Sequence, residues 1–132
     1  MLMAAATPAV AQVTPVTFEF GKNLPLAVGQ WSYAGIAGGG EARFGRHLAL
    51  RCDRATRTLT IARPVATAAA LTIVTDMQTR ALPTGGRLSA NDPILDSMAF
   101  SRGRFLVVGG SAEVLAVPSW PEAARAIEDC RK

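Results

Sequence analysis

A chain of 132 residues, 49% hydrophobic and 18% charged, has the composition of one globular domain and excludes a disordered chain, which needs low hydrophobicity and high charge. Its net charge of +4 is carried mostly by arginine and favours an anionic partner or surface. The arginines are spread from Arg43 to Arg131 instead of forming a basic face with interleaved aromatics, so nucleic acid is not expected as a partner.

The first eleven residues are apolar and uncharged and end in Ala9-Val10-Ala11, the small-x-small pattern of signal-peptidase cleavage. The basic segment that opens such a signal is missing. Residues 1–11 therefore read as the remainder of a secretory signal that begins upstream, with a disordered alanine-rich tail as the alternative. Residues 12–132 read as a single β-rich domain. No other apolar run approaches the roughly 20 residues that span a bilayer, so no transmembrane segment is expected. The expected location is periplasmic or secreted.

Val16-Thr17-Phe18-Glu19-Phe20 alternates apolar and polar, the period-2 pattern of a strand. Leu24-Pro25-Leu26 is an extended linker, because proline holds its predecessor out of the helical region. Trp31 and Tyr33 share one face of the next strand, and residues 35–40, with four glycines, read as the most flexible loop of the domain. That loop has neither the lysine nor the strand–turn–helix setting of a phosphate-binding loop. Leu48, Leu50 and Cys52 then share a strand face, and Leu59 and Ile61 return after a charged tip, which makes a hairpin. Leu71, Ile73 and Thr75 form another strand, Arg80-Ala81-Leu82 and residues 87–90 two short ones. Asn91 or Asp92 caps a single helical turn that begins at Pro93. Residues 105–108 and 114–117 form a hairpin about Gly109-Gly110-Ser111. Finally, Ser119-Trp120-Pro121-Glu122 reads as a capping box that opens a C-terminal helix, with Trp120, Ala123, Ala124, Ile127 and Cys130 on its apolar face and Asp129 toward water.

Strand signals at intervals of about ten residues imply an antiparallel β-sandwich or a partly open barrel, closed by a short helical turn and a C-terminal α-helix. Cys52 and Cys130 are too far apart for a redox CxxC pair and too few for a zinc site. In an exported protein they are expected to form one structural disulfide, whose long closed loop is worth about 4–5 kcal/mol by loop entropy.

The search for chemistry is negative. His47 is the only histidine and has no G-x-S-x-G nucleophile elbow to serve, so no catalytic residue, metal ligand or cofactor is expected. Asp92 and Asp96 are the one carboxylate pair suited to a hydrolase, with helix capping and pairing to Arg102 or Arg104 as the competing reading. Glu128 lies unfavourably at a helix C-terminus and invites pairing with Arg51, Arg125, Arg131 or Lys132. Ser101-Arg102-Gly103-Arg104 is the most site-like stretch, since Arg102 and Arg104 could clamp a carboxylate or phosphate. Trp31, Tyr33 and Trp120 are binding anchors if exposed and core if buried.

The motifs Trp31-x-Tyr33, Leu48-x-Leu50-x-Cys52, Asp92-Pro93-x-Leu95-Asp96-x-Met98-Ala99-Phe100-Ser101-Arg102-Gly103-Arg104-Phe105 and Pro118-x-Trp120-x-Glu122, with Glu128-Asp129-Cys130-Arg131, resemble a group of small exported alphaproteobacterial proteins of uncharacterised function. In length, export and β-rich layout the chain more distantly resembles the invasion-associated locus B family of periplasmic β-sandwich proteins, which usually carry more cysteines. These likenesses imply an envelope setting and transfer no catalytic residues. The expected function is a non-enzymatic binding or envelope-interaction module that recognises a protein or an anionic envelope component. The alternatives are a periplasmic protease or lysozyme inhibitor presenting residues 35–40, and a hydrolase using Asp92 and Asp96.

Overall fold

A computed structural model describes residues 16–66 and 69–132. The secretory-signal reading of residues 1–11 lies outside the described residues. Nine strands among those described form two antiparallel sheets. The larger sheet holds β1 (Trp31–Ile36), β2 (Gly39–Phe44), β3 (Leu48–Asp53), β4 (Thr58–Ala62) and β7 (Arg87–Ser89), in the order β1-β2-β3-β4-β7. The smaller holds β5 (Thr72–Val74), β6 (Thr79–Ala81), β8 (Arg104–Val108) and β9 (Leu115–Pro118), in the order β6-β5-β8-β9. The two sheets stay open and do not close into a barrel.

The register explains the core. Trp31 lies opposite Phe44, Phe44 opposite Leu48, Leu50 opposite Ile61, Cys52 opposite Leu59 and Leu59 opposite Leu88. Because side chains alternate faces with period 2, these rows place the buried large apolar residues of the larger sheet on one face. They pack there with Ile73, Phe105, Val107 and Val117 of the smaller sheet. The opposite face carries Glu41, Arg43, Arg51 and Arg87. On it, burial raises the Glu41 carboxyl, but hydrogen bonds from Arg43 and Arg51 outweigh that and hold it below its ordinary value.

Two helices complete the core. In α2 (Pro93–Phe100) the Asp92 side chain accepts from the Ile94 amide at 3.0 Å, and Pro93 supplies the preset first-turn backbone. The element is longer than a single turn because Ile94, Leu95 and Met98 are all buried and reward its extension. In α3 (Pro121–Arg131) Ala123, Ala126, Ile127 and Cys130 are buried against the larger sheet, and full burial of Ile127 alone is worth about 1.5–3 kcal/mol. Cys130 is disulfide-bonded to Cys52, with Cα atoms 5.5 Å apart, so α3 is stapled to β3.

Four local expectations are corrected. Residues 18–21 form a helical turn, α1 (Phe18–Gly21), not a strand, because the Thr17 hydroxyl accepts from the Phe20 amide at 3.2 Å and caps it. Phe18 then packs on Val74, Leu106 and Ala116, the outer face of the smaller sheet. Residues 35–40 are not an open loop: Gly35 pairs with Gly40 and Ile36 with Gly39, leaving only Ala37 and Gly38 to turn. The capping box does not form. Pro121 takes the first helical position, so Trp120 becomes the N-cap, and the Ser119 hydroxyl and Glu122 Oε2 are buried without partners among the described residues. The same one-residue offset turns Trp120 out of the apolar face, leaving it 46% exposed.

Candidate functional site

The residues singled out for binding do not converge. Trp31 is buried, and its Nε1 donates to the Pro118 carbonyl at 2.7 Å, which joins β1 to the entry of α3. Tyr33 is half-buried beneath the Arg125 guanidinium, 4.1 Å from the ring centroid, and its hydroxyl donates to Asp129. That bond pushes the Tyr33 phenol above its ordinary value and holds the Asp129 carboxyl below its own. Asp129 thus turns inward instead of facing water, with Lys132 Nζ 3.7 Å from its other oxygen.

Arg102 is exposed, 4.0 Å from the Asp76 carboxylate. Arg104 donates to the carbonyls of Gly21 and Leu24, so it fastens the chain that follows α1. Neither pairs with Asp92 or Asp96. Asp92 pairs with Arg80, and Asp96 with Arg131 at 2.8 Å, so each carboxylate of the hydrolase reading is already engaged. Arg131 also takes Glu128, at 3.4 Å, while Arg51 is occupied by Glu41. His47 holds the backbone: its Nε2 lies 3.1 Å from the Val28 carbonyl, and its ring stacks on Phe44. No group of three or more metal-ligating side chains occurs among the described residues.

A different region has the properties of a site. An open groove of about 950 Å³ lies between the segment that links α1 to β1 and the β8–β9 turn. Of the large apolar side chains that the described residues leave exposed, Phe20, Leu26, Val28 and Val65 line this groove, while Met77, Phe100 and Trp120 lie elsewhere. Val28 is 91% and Val65 71% exposed. A contiguous exposed apolar surface of this kind marks an interaction site.

The local sequence builds the groove. Pro25 keeps its neighbour extended. The Ala27 amide donates to the Ala116 carbonyl at 2.8 Å, His47 holds the Val28 carbonyl, and Arg104 holds those of Gly21 and Leu24. The backbone of residues 24–28 is thereby tied down while Leu26 and Val28 face outward.

One charged side chain is built into the wall. Arg63 is 6% exposed; its Nη1 donates to the Gly109 carbonyl at 2.9 Å, and its Nε is buried without a partner among the described residues. No carboxylate among those residues forms a salt bridge with it. The β8–β9 turn seals its stem, with Gly110 packed on the Arg63 Cδ. Sequence reasoning passed over this region because Leu24-Pro25-Leu26 reads as an extended linker and residues 63–65 carry no motif. The available signal was their apolarity, since a solvated linker has no reason to carry Leu26, Val28 and Val65.

No family model matches the chain, and neither the curated proteins nor the solved structures contain a match to it.

Proposed function

We propose that the protein is an exported, disulfide-stapled binding module of the periplasm or extracellular space that takes an apolar envelope component into the groove beside Arg63, without catalysis. The observation that carries this reading is the gathering of Phe20, Leu26, Val28 and Val65 as exposed side chains on one groove whose 24–28 backbone is fastened. The Cys52–Cys130 staple supports an oxidising compartment, as do Ala9-Val10-Ala11 and the resemblance to exported proteins. The engagement of Asp92 and Asp96 by Arg80 and Arg131 favours binding over hydrolysis.

The test uses a neutral apolar dye, Nile red, whose fluorescence rises on leaving water. The parent is expected to bind it, Leu26→Asp and Val28→Asp to lose most of the signal, and Phe100→Asp, at an exposed apolar residue outside the groove, to retain it. Equal signals from all four proteins, or none from the parent, would overturn the reading.

A further inference from the structure

We infer that the groove accepts a long-chain carboxylate, with its headgroup on the Arg63 guanidinium and its chain along Leu26, Val28, Phe20 and Val65. This inference rests on the groove being the binding site.

The argument begins with the charge of Arg63. A guanidinium does not deprotonate in proteins, so it cannot escape burial by becoming neutral. Burying such a charge without an opposite charge is strongly unfavourable. The Gly109 carbonyl satisfies one donor, on Nη1. Arg63 also borders a second, small void of about 10 Å³, lined by Ile61, Leu71, Leu82 and Gly86, which is near the limit for one water. A water there satisfies one hydrogen bond and leaves the charge uncompensated. An anion arriving through the groove supplies what is missing.

The charge of the guanidinium selects an anion. With Nη1 taken by Gly109 and Nε buried, Nη2 is the guanidinium nitrogen left to meet a ligand, and it makes no hydrogen bond among the described residues. A hydrogen bond from a guanidinium nitrogen to a carboxylate oxygen is charge-assisted and roughly twice as strong as a neutral one.

The rest of the lining selects a monoanion. Glu113 is exposed on the same groove, and its negative charge disfavours a dianionic phosphate. Apart from Ser111 and His47, whose Nε2 is taken by the Val28 carbonyl, the other groove-lining side chains are apolar, and a volume of about 950 Å³ lies within the range of small-ligand sites. An apolar chain ending in one carboxylate meets both conditions.

The test is displacement of Nile red from the full chain by dodecanoate, dodecanol and dodecyl phosphate. Dodecanoate is expected to displace best. Arg63→Gln is expected to weaken dodecanoate by about ten- to a hundredfold, as for loss of a charge-assisted hydrogen-bonded pair, and to leave dodecanol unchanged. Removing an unpaired buried charge should not prevent folding, and retained Nile red binding verifies this for the variant. Glu113→Gln, at an exposed residue, is expected to tighten dodecanoate several-fold without affecting dodecanol. If dodecanoate and dodecanol displace the dye equally, or if both variants leave their ratio unchanged, the carboxylate assignment fails while the apolar site stands. If Nile red does not bind the parent, the site itself fails.

Discussion

The Tyr33 hydroxyl donates to the Asp129 carboxylate across 96 positions of sequence, joining β1 to the last turn of α3 within reach of the Cys130 staple. The ring is roofed by Arg125, and a side chain at Gly40 would collide with the hydroxyl. A bare glycine on β2, a cation on α3 and a carboxylate one turn later therefore act together to position one phenol.

This bond sets a pH window. The folded Asp129 carboxyl lies below its unfolded value, so its contribution is present above the ordinary carboxylate range and is lost as pH falls through the folded value. The folded Tyr33 phenol lies above its unfolded value, so its contribution is full below the ordinary phenol range and is lost as pH rises through the folded value. Tyr33→Phe should cost about 1 kcal/mol at neutral pH, discounted for partial exposure, and much less at either extreme. Because the chain has one tyrosine, its ultraviolet titration reports Tyr33 alone. The midpoint should lie above the usual value and return toward it in Asp129→Asn; an unchanged midpoint would refute the coupling.

Loss of the staple should be the largest single effect. Cys52→Ala with Cys130→Ala is expected to destabilise by about 2–5 kcal/mol, and reductant should lower the urea midpoint of the parent by a comparable amount. A parent insensitive to reductant would contradict a structural role for the Cys52–Cys130 bond.

Trp31 and Trp120 should behave oppositely. Trp31→Phe removes the donor to the Pro118 carbonyl in a buried setting and is expected to cost about 1–3 kcal/mol, whereas Trp120→Phe should change stability little. Hydrogen exchange gives an independent reading, with the Trp31 indole proton slow and that of Trp120 fast.

The β1–β2 hairpin should be rigid despite its glycines. A Cβ at Gly39 would run into the Cys52 carbonyl of the adjacent strand, so Gly39→Ala is expected to destabilise by about 1–3 kcal/mol. Gly35→Ala, with open space at that position, should cost far less. Equal costs in thermal unfolding would argue for a loose loop at residues 35–40.

Asp92 and Asp96 should register in stability and not in hydrolysis. Asp92→Ala removes both the α2 cap and the Arg80 pair, and loss of the cap alone is worth about 0.5–2 kcal/mol. Asp96→Asn loses the Arg131 pair, worth up to about 1 kcal/mol at a partly exposed site. A panel of glycoside and ester substrates that the parent cleaves and Asp96→Asn does not would restore the hydrolase reading.

What the sequence determined by itself is what covalent connection and short-range periodicity carry. Leu48, Leu50 and Cys52 alternate, and so do Leu59 and Ile61, because a pleated strand has a period of 2 whatever it packs on. Cys52 had only Cys130 to bond with, and Pro93 behind Asp92 announced a helix start from neighbouring residues alone. The tertiary structure decided the rest, because those choices are made by groups distant in sequence. Val16 to Phe20 alternates like a strand, yet the Thr17 cap and the apolar surface of Leu106 and Ala116 make it helical. Arg104 has as good a charge for Asp96 as Arg131 has, and only the placement of α3 beside α2 assigns the partner. Arg63 is one arginine of twelve in the sequence. It becomes distinct only when the β8–β9 turn folds over its stem and leaves its charge buried, with no carboxylate partner among the described residues, at the edge of an apolar groove.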